Sequence, residues 1–559
     1  MNSLRDQSIL VLGLGDSGLA MAAWGLREGA TVRVWDSREN PPQLAALSEK
    51  LPGVAFASGE ISLDGVQLVL KSPGLSPRDA RLEAVYASGL PVLGELDLFA
   101  AALAQLKAER RYAPFVLAIT GTNGKTTTTS MTAMLCEAAG LCVGLAGNIG
   151  PSLLTTLADA LDLEPPELQL PLTSDSGAMP LEAFPEAEPE IEEEATASDS
   201  LPDEDRPLPI KPPPPRGPVF EHLPEVWVLE LSSFQLDGVQ GFEPTAGAVL
   251  NITQDHLDWH GDMAAYAAAK ARVFGNAALM VINRDDAAVE AFVPAPVMVK
   301  QGRGKSARLQ GRRVVRFGLD APRAPGDFGL MEEGGVAWLV RAMESDETIK
   351  RRKGDDDEEI IIQRLMPADA LRVRGRHNAA NALAALALAS SAGCALAPML
   401  HALREYRGEP HRVEHVQTIK GIDFYDDSKG TNVGATVAAI LGLGADRAPA
   451  KLVLILGGDG KGQDFSPLKD GVMRHARAVA LIGRDGPQVE AALQGSGIPM
   501  QRFETLEAAT RWAFTQAQNT DSVLLSPACA SLDMFRNYAH RAEVFVATVQ
   551  EIANDEGLA

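Results

Sequence analysis

Across 559 residues there are only four cysteines, Cys136, Cys142, Cys394 and Cys529, and no two form a CxxC pair. That scarcity excludes a disulfide framework and a thiolate zinc site, and the expected state is reduced thiols in a cytoplasmic protein. Aromatic residues are also few, at 5%. No uninterrupted apolar run approaches the ~20 residues that a membrane helix needs, so membrane insertion is not expected. The start, MNSLRDQSILVLG, lacks the basic region, long apolar stretch and cleavage site of a secretory signal. Positive charge is short as well. The net charge is −23, and residues 162–224, with 16 acidic and 3 basic side chains, carry −13 of it, leaving −10 for the rest. Neither part has the basic footprint of a nucleic-acid binder.

What is present is a chain too long for one core, and at ~150 residues per domain three or four are expected. Its most informative stretch is VLAITGTNGKTTTT, Val116 to Thr129. The apolar, β-prone run Phe115 to Ile119 enters Gly121-Thr122-Asn123-Gly124-Lys125-Thr126-Thr127, and a helix is expected from Thr128 to Ala139. Strand, glycine loop, lysine, hydroxyl and helix in that order make a phosphate cradle. Backbone N–H groups crowd round the anion, Lys125 reaches the β- and γ-phosphates and Thr126 sits on Mg²⁺. Ile119 stands six residues before Lys125, where the common phosphate loop has glycine.

Near the start, a buried-strand run from Ser8 enters Gly13-Leu14-Gly15-Asp16-Ser17-Gly18, with an alanine-rich helix and a second strand, Thr31 to Trp35, after it. Asp36, Ser37 and Arg38 then stand where a ribose or base is read, the dinucleotide fingerprint. Alone, this reads as a nicotinamide or flavin enzyme. A second phosphate loop at Gly121 weighs against that, and a nucleotide or diphosphate on a Rossmann-like domain is the safer inference. Lys71-Ser72-Pro73-Gly74 follows another strand, either at the ligand-binding edge of the same sheet or as a simple turn.

Residues 162–224 hold 15 of the 36 prolines and show no hydrophobic period. Such a segment cannot offset its chain entropy by burial, and a disordered insertion is expected. Beyond it, Glu225 to Glu230 reads as a buried strand ending in a carboxylate, placed like the acid that holds Mg²⁺ in phosphate-loop enzymes. A strand from Ala246 to Ile252 leads to His256, which is either an ordinary buried or surface histidine or a metal or phosphate group at the same crevice. Lys270, on a helix expected over Met263 to Phe274, is equally open. Gly311 to Leu365 reads as β-rich, with the charged run 344–359 at a hairpin tip. Asn378 and Asn381 share a helix face. From Glu409 a third α/β unit begins, with ligand-type loops at Asp427 to Asn432, Gly457 to Gly462 and Ser526 to Ser531.

Taken together, GTNGKTT, GNIG, ELSSFQL, NITQDHLD, Lys270, GRHNAANALAA, His411-Arg412, DDSKGTN, GGDGKG and SPACASLDMF resemble the Mur ligase family over nearly the whole chain, except 162–224 and 344–359. The fold the resemblance implies is α/β in three domains. These are a Rossmann-like domain at 1–98 for a UDP-linked substrate, a central phosphate-loop ATPase with a parallel sheet at 99–408, and a Rossmann-like domain at 409–559 for an amino acid. The motif order with Gly13 to Gly18 is closest to the branch that adds D-glutamate to UDP-N-acetylmuramoyl-L-alanine through an acyl phosphate, releasing ADP and phosphate in peptidoglycan synthesis. A DNPR-type motif, expected of diamino-acid-adding relatives, is absent.

The resemblance implies roles. Gly121 to Thr127, Asn381, Arg412, Asp427 and Lys429 hold ATP. Thr126 and Glu230 hold a first Mg²⁺, and His256 and Lys270 a second, with Lys270 carbamylated. Lys125, Asn148, His256, Lys270 and Lys461 serve the chemistry. Gly15, Asp16, Ser17, Gly18, Asp36, Ser37, Arg38 and Ser72 hold the UDP end, and Thr431, Lys461, Ser526 and Phe535 the amino acid. A monomer is expected. The open alternatives are a relative using another amino acid, including a folylpolyglutamate-type ligase, a Rossmann dehydrogenase, and a nucleotide-gated scaffold without turnover.

Overall fold

The structure is a computed structural model and describes residues 4–165, 220–300, 307–345, 360–373 and 375–557. The expected insertion at 162–224 and the charged run at 344–359 therefore lie outside the described residues except at their ends.

Three parallel-type sheets organise the chain. The first contains β1 (Ser8–Leu12), β2 (Thr31–Trp35), β3 (Ala55–Ala57), β4 (Leu68–Lys71) and β5 (Val92–Leu93), in the order β3-β2-β1-β4-β5 and parallel throughout. Strand order reverses beside β1, so the loops after β1 and β4 open on one crevice. A single helix, Glu95–Arg110, leads to the second sheet.

That sheet is built from β6 (Phe115–Thr120), β7 (Val143–Gly147), β8 (Val226–Glu230), β9 (Ala246–Val249) and β10 (Leu279–Asn283). Beyond them comes a hairpin, β11 (Val297–Lys300) and β12 (Ala307–Gln310), and then an edge strand, β13 (Val314–Phe317). The order is β13-β10-β9-β6-β8-β7, again parallel. Its central strands are apolar and buried, as a sheet covered on both faces requires. Register puts Ile119 opposite Glu230, Glu230 opposite Gly147, and Thr120 opposite Val249, so four strand ends meet at one point.

A small antiparallel sheet, β14 (Phe328–Glu333), β15 (Val336–Glu344) and β16 (Ile360–Pro367), covers one side. Glu344 pairs with Ile360, so the charged run joins the two strands of a hairpin. The third main sheet holds β17 (Glu414–Ile419), β18 (Ile422–Asp426), β19 (Leu452–Gly457), β20 (Ala476–Ile482), β21 (Met500–Arg502) and β22 (Ser522–Leu525), ordered β17-β18-β22-β19-β20-β21. Only the β17–β18 hairpin is antiparallel. The three ligand-type loops follow β18, β22 and β19, which are neighbours.

Several boundaries differ from expectation. The helix after the phosphate loop spans Lys125–Ala138, beginning three residues earlier than expected, because its threonines pack into the core rather than remaining in a loop. β9 stops at Val249, so His256 sits not at a strand end but at the N-cap of a short helix, Leu257–His260, in the left-handed region at φ 53°. The expected helix Met263 to Phe274 is α-helical over Met263–Ala271 and closes as a 3₁₀ turn, Arg272–Phe274. Among the described residues no helix is long and apolar enough to cross a membrane.

Candidate active site

The loop after β6 is held from three sides. Gly124 takes φ 81°, and a Cβ there would lie 2.6 Å from Asn381 Oδ1, so only glycine lets Asn381 pack on the loop. Asn251 Oδ1 accepts from the Asn123 amide at 2.8 Å, and its Nδ2 donates to Asn123 O at 3.1 Å. Thr122 Oγ1 donates to Thr253 O and shares a hydrogen bond with Tyr266 Oη, both 3.1 Å. Lys125 Nζ folds back to donate to Gly121 O and Thr122 O at 2.9 Å each. Burial holds the Lys125 ammonium below the usual lysine range, with Glu230 opposing that shift.

Glu230, buried at the end of β8, accepts from Asn148 Nδ2 through Oε1 at 2.7 Å, and its carbonyl accepts from the Asn148 amide at 2.8 Å. Its Oε2 is buried without a hydrogen-bond partner. A bare carboxylate oxygen in a buried position is costly unless a cation or donor meets it, so the residues fit a divalent ion there. Lys270 is buried too. Its Nζ donates to Gly121 O at 2.8 Å and to Thr120 Oγ1 at 3.4 Å, and lies 4.7 Å from the centre of the Tyr266 ring. Burial, reinforced by the charge of Lys125, pushes it well below the ordinary lysine range. His256 is lowered by burial, opposed by Asp255, and lowered further by the charges of Lys461, Lys125 and Lys270. Among the described residues, the compact His and carboxylate cluster is instead His411, Glu414 and Asp426, within 4.8 Å of one another, and neither Glu230 nor His256 belongs to it.

On one side of this centre lies a cavity of about 1200 Å³, with Gly13, Gly15, Asp16, Ser17, Asp36 to Arg38 and Ser72 from the first domain facing Asn148 and Ser152 from the second. Both oxygens of Asp36 are engaged. Leu14 N donates to Oδ2 at 2.7 Å, and Arg38 donates from N and Nε to Oδ1 at 2.9 Å and from Nη2 to Oδ2 at 3.0 Å. Burial would raise this carboxyl, but the Arg38 guanidinium and the amides outweigh it and bring it to about 2. Asp36 thus holds Arg38 in the wall, which leaves it poorly free to grip the ribose of a dinucleotide. Gly18 lies too close to Gly13 O for any Cβ, and Ser72 Oγ donates to the same carbonyl at 2.9 Å.

On the other side, a 320 Å³ cavity brings Asn123, Gly124 and Thr127 together with Asn381, Arg412 and Asp427. The third domain touches the loop directly. Arg412 Nη2 donates to Thr126 Oγ1 at 3.1 Å, and Asn432 Nδ2 donates to Asn123 Oδ1 at 2.9 Å. Ser526 Oγ donates to Asp427 Oδ2 at 2.6 Å, which joins an expected amino-acid residue to an expected ATP residue. Burial raises Asp427 to about 7 against the pull of Ser526 and Arg412. Lys429 Nζ lies 5.6 Å from the Tyr538 ring centre and is lowered by burial. Thr431, Lys461, Ser526 and Phe535 line neither cavity. Lys461 is exposed at φ 51°, and Phe535 packs against the third domain's core. The sequence assigns no role to Asn251 or Asn432, since an asparagine's partner across 128 or 309 residues leaves no trace in local spacing.

Comparison with known proteins agrees with this arrangement. The Mur ligase MurD-like N-terminal domain family model matches residues 7–94, the Mur ligase middle domain 119–173 and 220–389, and the Mur ligase glutamate ligase domain 411–529. A protein from Albidiferax ferrireducens named UDP-N-acetylmuramoylalanine–D-glutamate ligase is 53% identical, covering 100% of this chain and 99% of its own. A Burkholderia pseudomallei protein of the same name is 51% identical over 98% of each chain. Among solved structures, the UDP-N-acetylmuramate-alanine ligase MurC from Thermotoga maritima has a TM-score of 0.52 at 18% identity, covering 97% of this chain and 99% of its own. The MurF ligase from the same organism, in complex with ADP, has a TM-score of 0.52 at 14% identity, covering 98% and 96%. These two show a shared fold.

Proposed function

The chain belongs to the Mur ligase family, and from that premise we propose that it joins D-glutamate to UDP-N-acetylmuramoyl-L-alanine, turning ATP into ADP and phosphate. The observation that carries the reading is the file of groups between the two cavities. Asn148, in the wall of the larger, bonds Glu230, whose free oxygen and opposing charge face Lys125 on the loop that walls the smaller. A carboxylate presented from one cavity and a triphosphate from the other meet there.

A carboxylate is a poor acyl donor, and phosphorylation gives it a leaving group. Lys125 exchanges its two carbonyl partners for the β- and γ-phosphates and offsets the charge spread over the transferring group. Asn148 orients the acyl group, and Arg412 and Asn381 hold the nucleotide from the far side. Thr126 and Glu230 would hold one Mg²⁺, which would supply further charge neutralisation when bound. Lys270 is suited to carbamylation: its ammonium is disfavoured by burial, and the neutral amine adds to CO₂ with loss of one proton, forming an N–C bond and an anionic oxygen. With His256, that oxygen would hold a second cation. The amine of D-glutamate, held by the third-domain loops at Thr431, Lys461 and Ser526, attacks the acyl carbon and phosphate leaves. We expect a monomer, and the nucleotide substrates fit a cytoplasmic location.

The test is phosphate release by the purified protein. We expect release only when ATP, Mg²⁺, UDP-N-acetylmuramoyl-L-alanine and D-glutamate are all present, with a product heavier than the acceptor by one glutamyl residue. Oxidation of NADH, or ATP binding without turnover under any combination, would contradict it.

A further inference from the structure

Two of the four cysteines, 258 positions apart in the sequence, face each other in space. Cys136 lies in the last turn of the helix Lys125–Ala138, and Cys394 in the turn joining the helices Arg376–Ser391 and Leu396–Glu405. Their sulfurs are 3.8 Å apart. Cys136 is fully buried, whereas Cys394 is partly exposed, and Cys142 and Cys529 have no such neighbour. A disulfide needs sulfurs ~2.05 Å apart, so closure requires an approach of under about 2 Å. Cys394 can supply it, because it sits in a short turn directly after Gly393 at φ 83°, not within a helix.

We propose that Cys136 and Cys394 form a peroxide-oxidisable dithiol that closes to a disulfide between the phosphate-loop helix and the turn Gly393 to Ala395. The two thiols have distinct parts. The contact between the two sulfurs, with burial, keeps Cys136 protonated, and the same contact lowers Cys394 toward its thiolate. Cys394 is also the sulfur that solvent reaches. Its thiolate attacks hydrogen peroxide, the O–O bond breaks, and the departing hydroxide takes up a proton to leave as water. Cys394 is then a sulfenic acid. Cys136, losing its proton, attacks that sulfur, the S–O bond breaks and a second water leaves. Two thiols and one peroxide give one disulfide and two waters, and a dithiol reductant reverses the step. The link lies at the end of the helix opposite Lys125, so it braces the helix without entering the site.

The experiment treats the full chain with hydrogen peroxide in slight excess, blocks remaining thiols and maps peptides without reduction. We expect a peptide linking Cys136 to Cys394, a fall from four alkylatable thiols in the denatured protein to two, Cys142 and Cys529, and recovery of both lost thiols after dithiothreitol. Cys394→Ser should leave Cys136 alkylatable after the same treatment, and Cys142→Ser should leave the link unchanged. Cys394 recovered as thiol or sulfinic acid with no linked peptide in the wild-type chain would overturn the proposal, and needs no variant to fold.

Discussion

Lys125 and Lys270 show how position alone divides two identical side chains. Both touch Gly121 O, yet Lys125 is only half-buried, on the loop whose Asn123, Gly124 and Thr127 wall the smaller cavity, while Lys270 is buried against Tyr266. Lys125→Ala should leave the circular-dichroism spectrum unchanged and reduce turnover by far more than tenfold; a loss within tenfold, under ~1.4 kcal/mol, is too small for a group on the transferring phosphoryl. Lys270→Ala should lose activity that a short-chain carboxylate in the buffer partly restores, because the carboxylate replaces the carbamate oxygens. Equal inactivity across acetate and formate titrations would remove that role. Asp427 makes a pH prediction. Folded, it keeps its proton up to about 7, whereas unfolded it loses it near ~3.9. The folded state then binds more protons between those values, so this group makes stability fall as pH rises from ~4 to 7 and leaves it level above. Asp427→Asn should flatten that part of the profile, read as denaturant midpoint against pH.

At the scale of elements, the insertion has a simple anchor. Glu164, just before it, accepts the amides of Glu221, His222 and Leu223, just after it, at 2.9, 2.8 and 2.9 Å. Its two ends are therefore adjacent, and replacing 166–219 by a short Gly/Ser linker should preserve folding and turnover, because closing a short loop between neighbouring ends costs little. Loss of turnover in a folded deletion protein would show that the segment acts in the reaction. The strands were legible because their runs are apolar and bounded by glycine or polar turns, and Glu230 was found because a carboxylate ends such a run. The start at Lys125 was not: four threonines read as poor helix formers, and only their burial against neighbouring helices makes that stretch helical. His256 was misplaced because β9 ends early and a left-handed residue starts the next helix. The Cys136–Cys394 approach had no local signal at all.

At the scale of the whole molecule, three sheets turn the C-terminal ends of their strands toward one space, and on the proposed function each would bring a different reactant. The first and second domains share an apolar core, flanked by Arg27 to Asp162 and Arg78 to Trp259 O, whereas Arg412 to Thr126 and Asn432 to Asn123 tie the third domain to the phosphate loop. A polar seam like the latter lets a domain open for exchange and close for reaction. On the proposed reading the third domain decides which amine is admitted. Lys461 and the Thr431 hydroxyl of its loops would form a set matched to two carboxylates and unsuited to a long cationic side chain, with the buried Ser526 hydroxyl held on Asp427 behind them. A site that pairs both carboxylates leaves buried donors unpaired when one is missing, and losses of ~10⁴ follow from such a mismatch. The handedness of the preference comes from the family relationship. The most direct measurement is product mass under competition, at saturating ATP and UDP-N-acetylmuramoyl-L-alanine, with D-glutamate, isotope-labelled L-glutamate, D-alanine, L-lysine and meso-diaminopimelate in equal amounts. The account predicts a product carrying D-glutamate almost alone, and a product carrying L-lysine or diaminopimelate would contradict it.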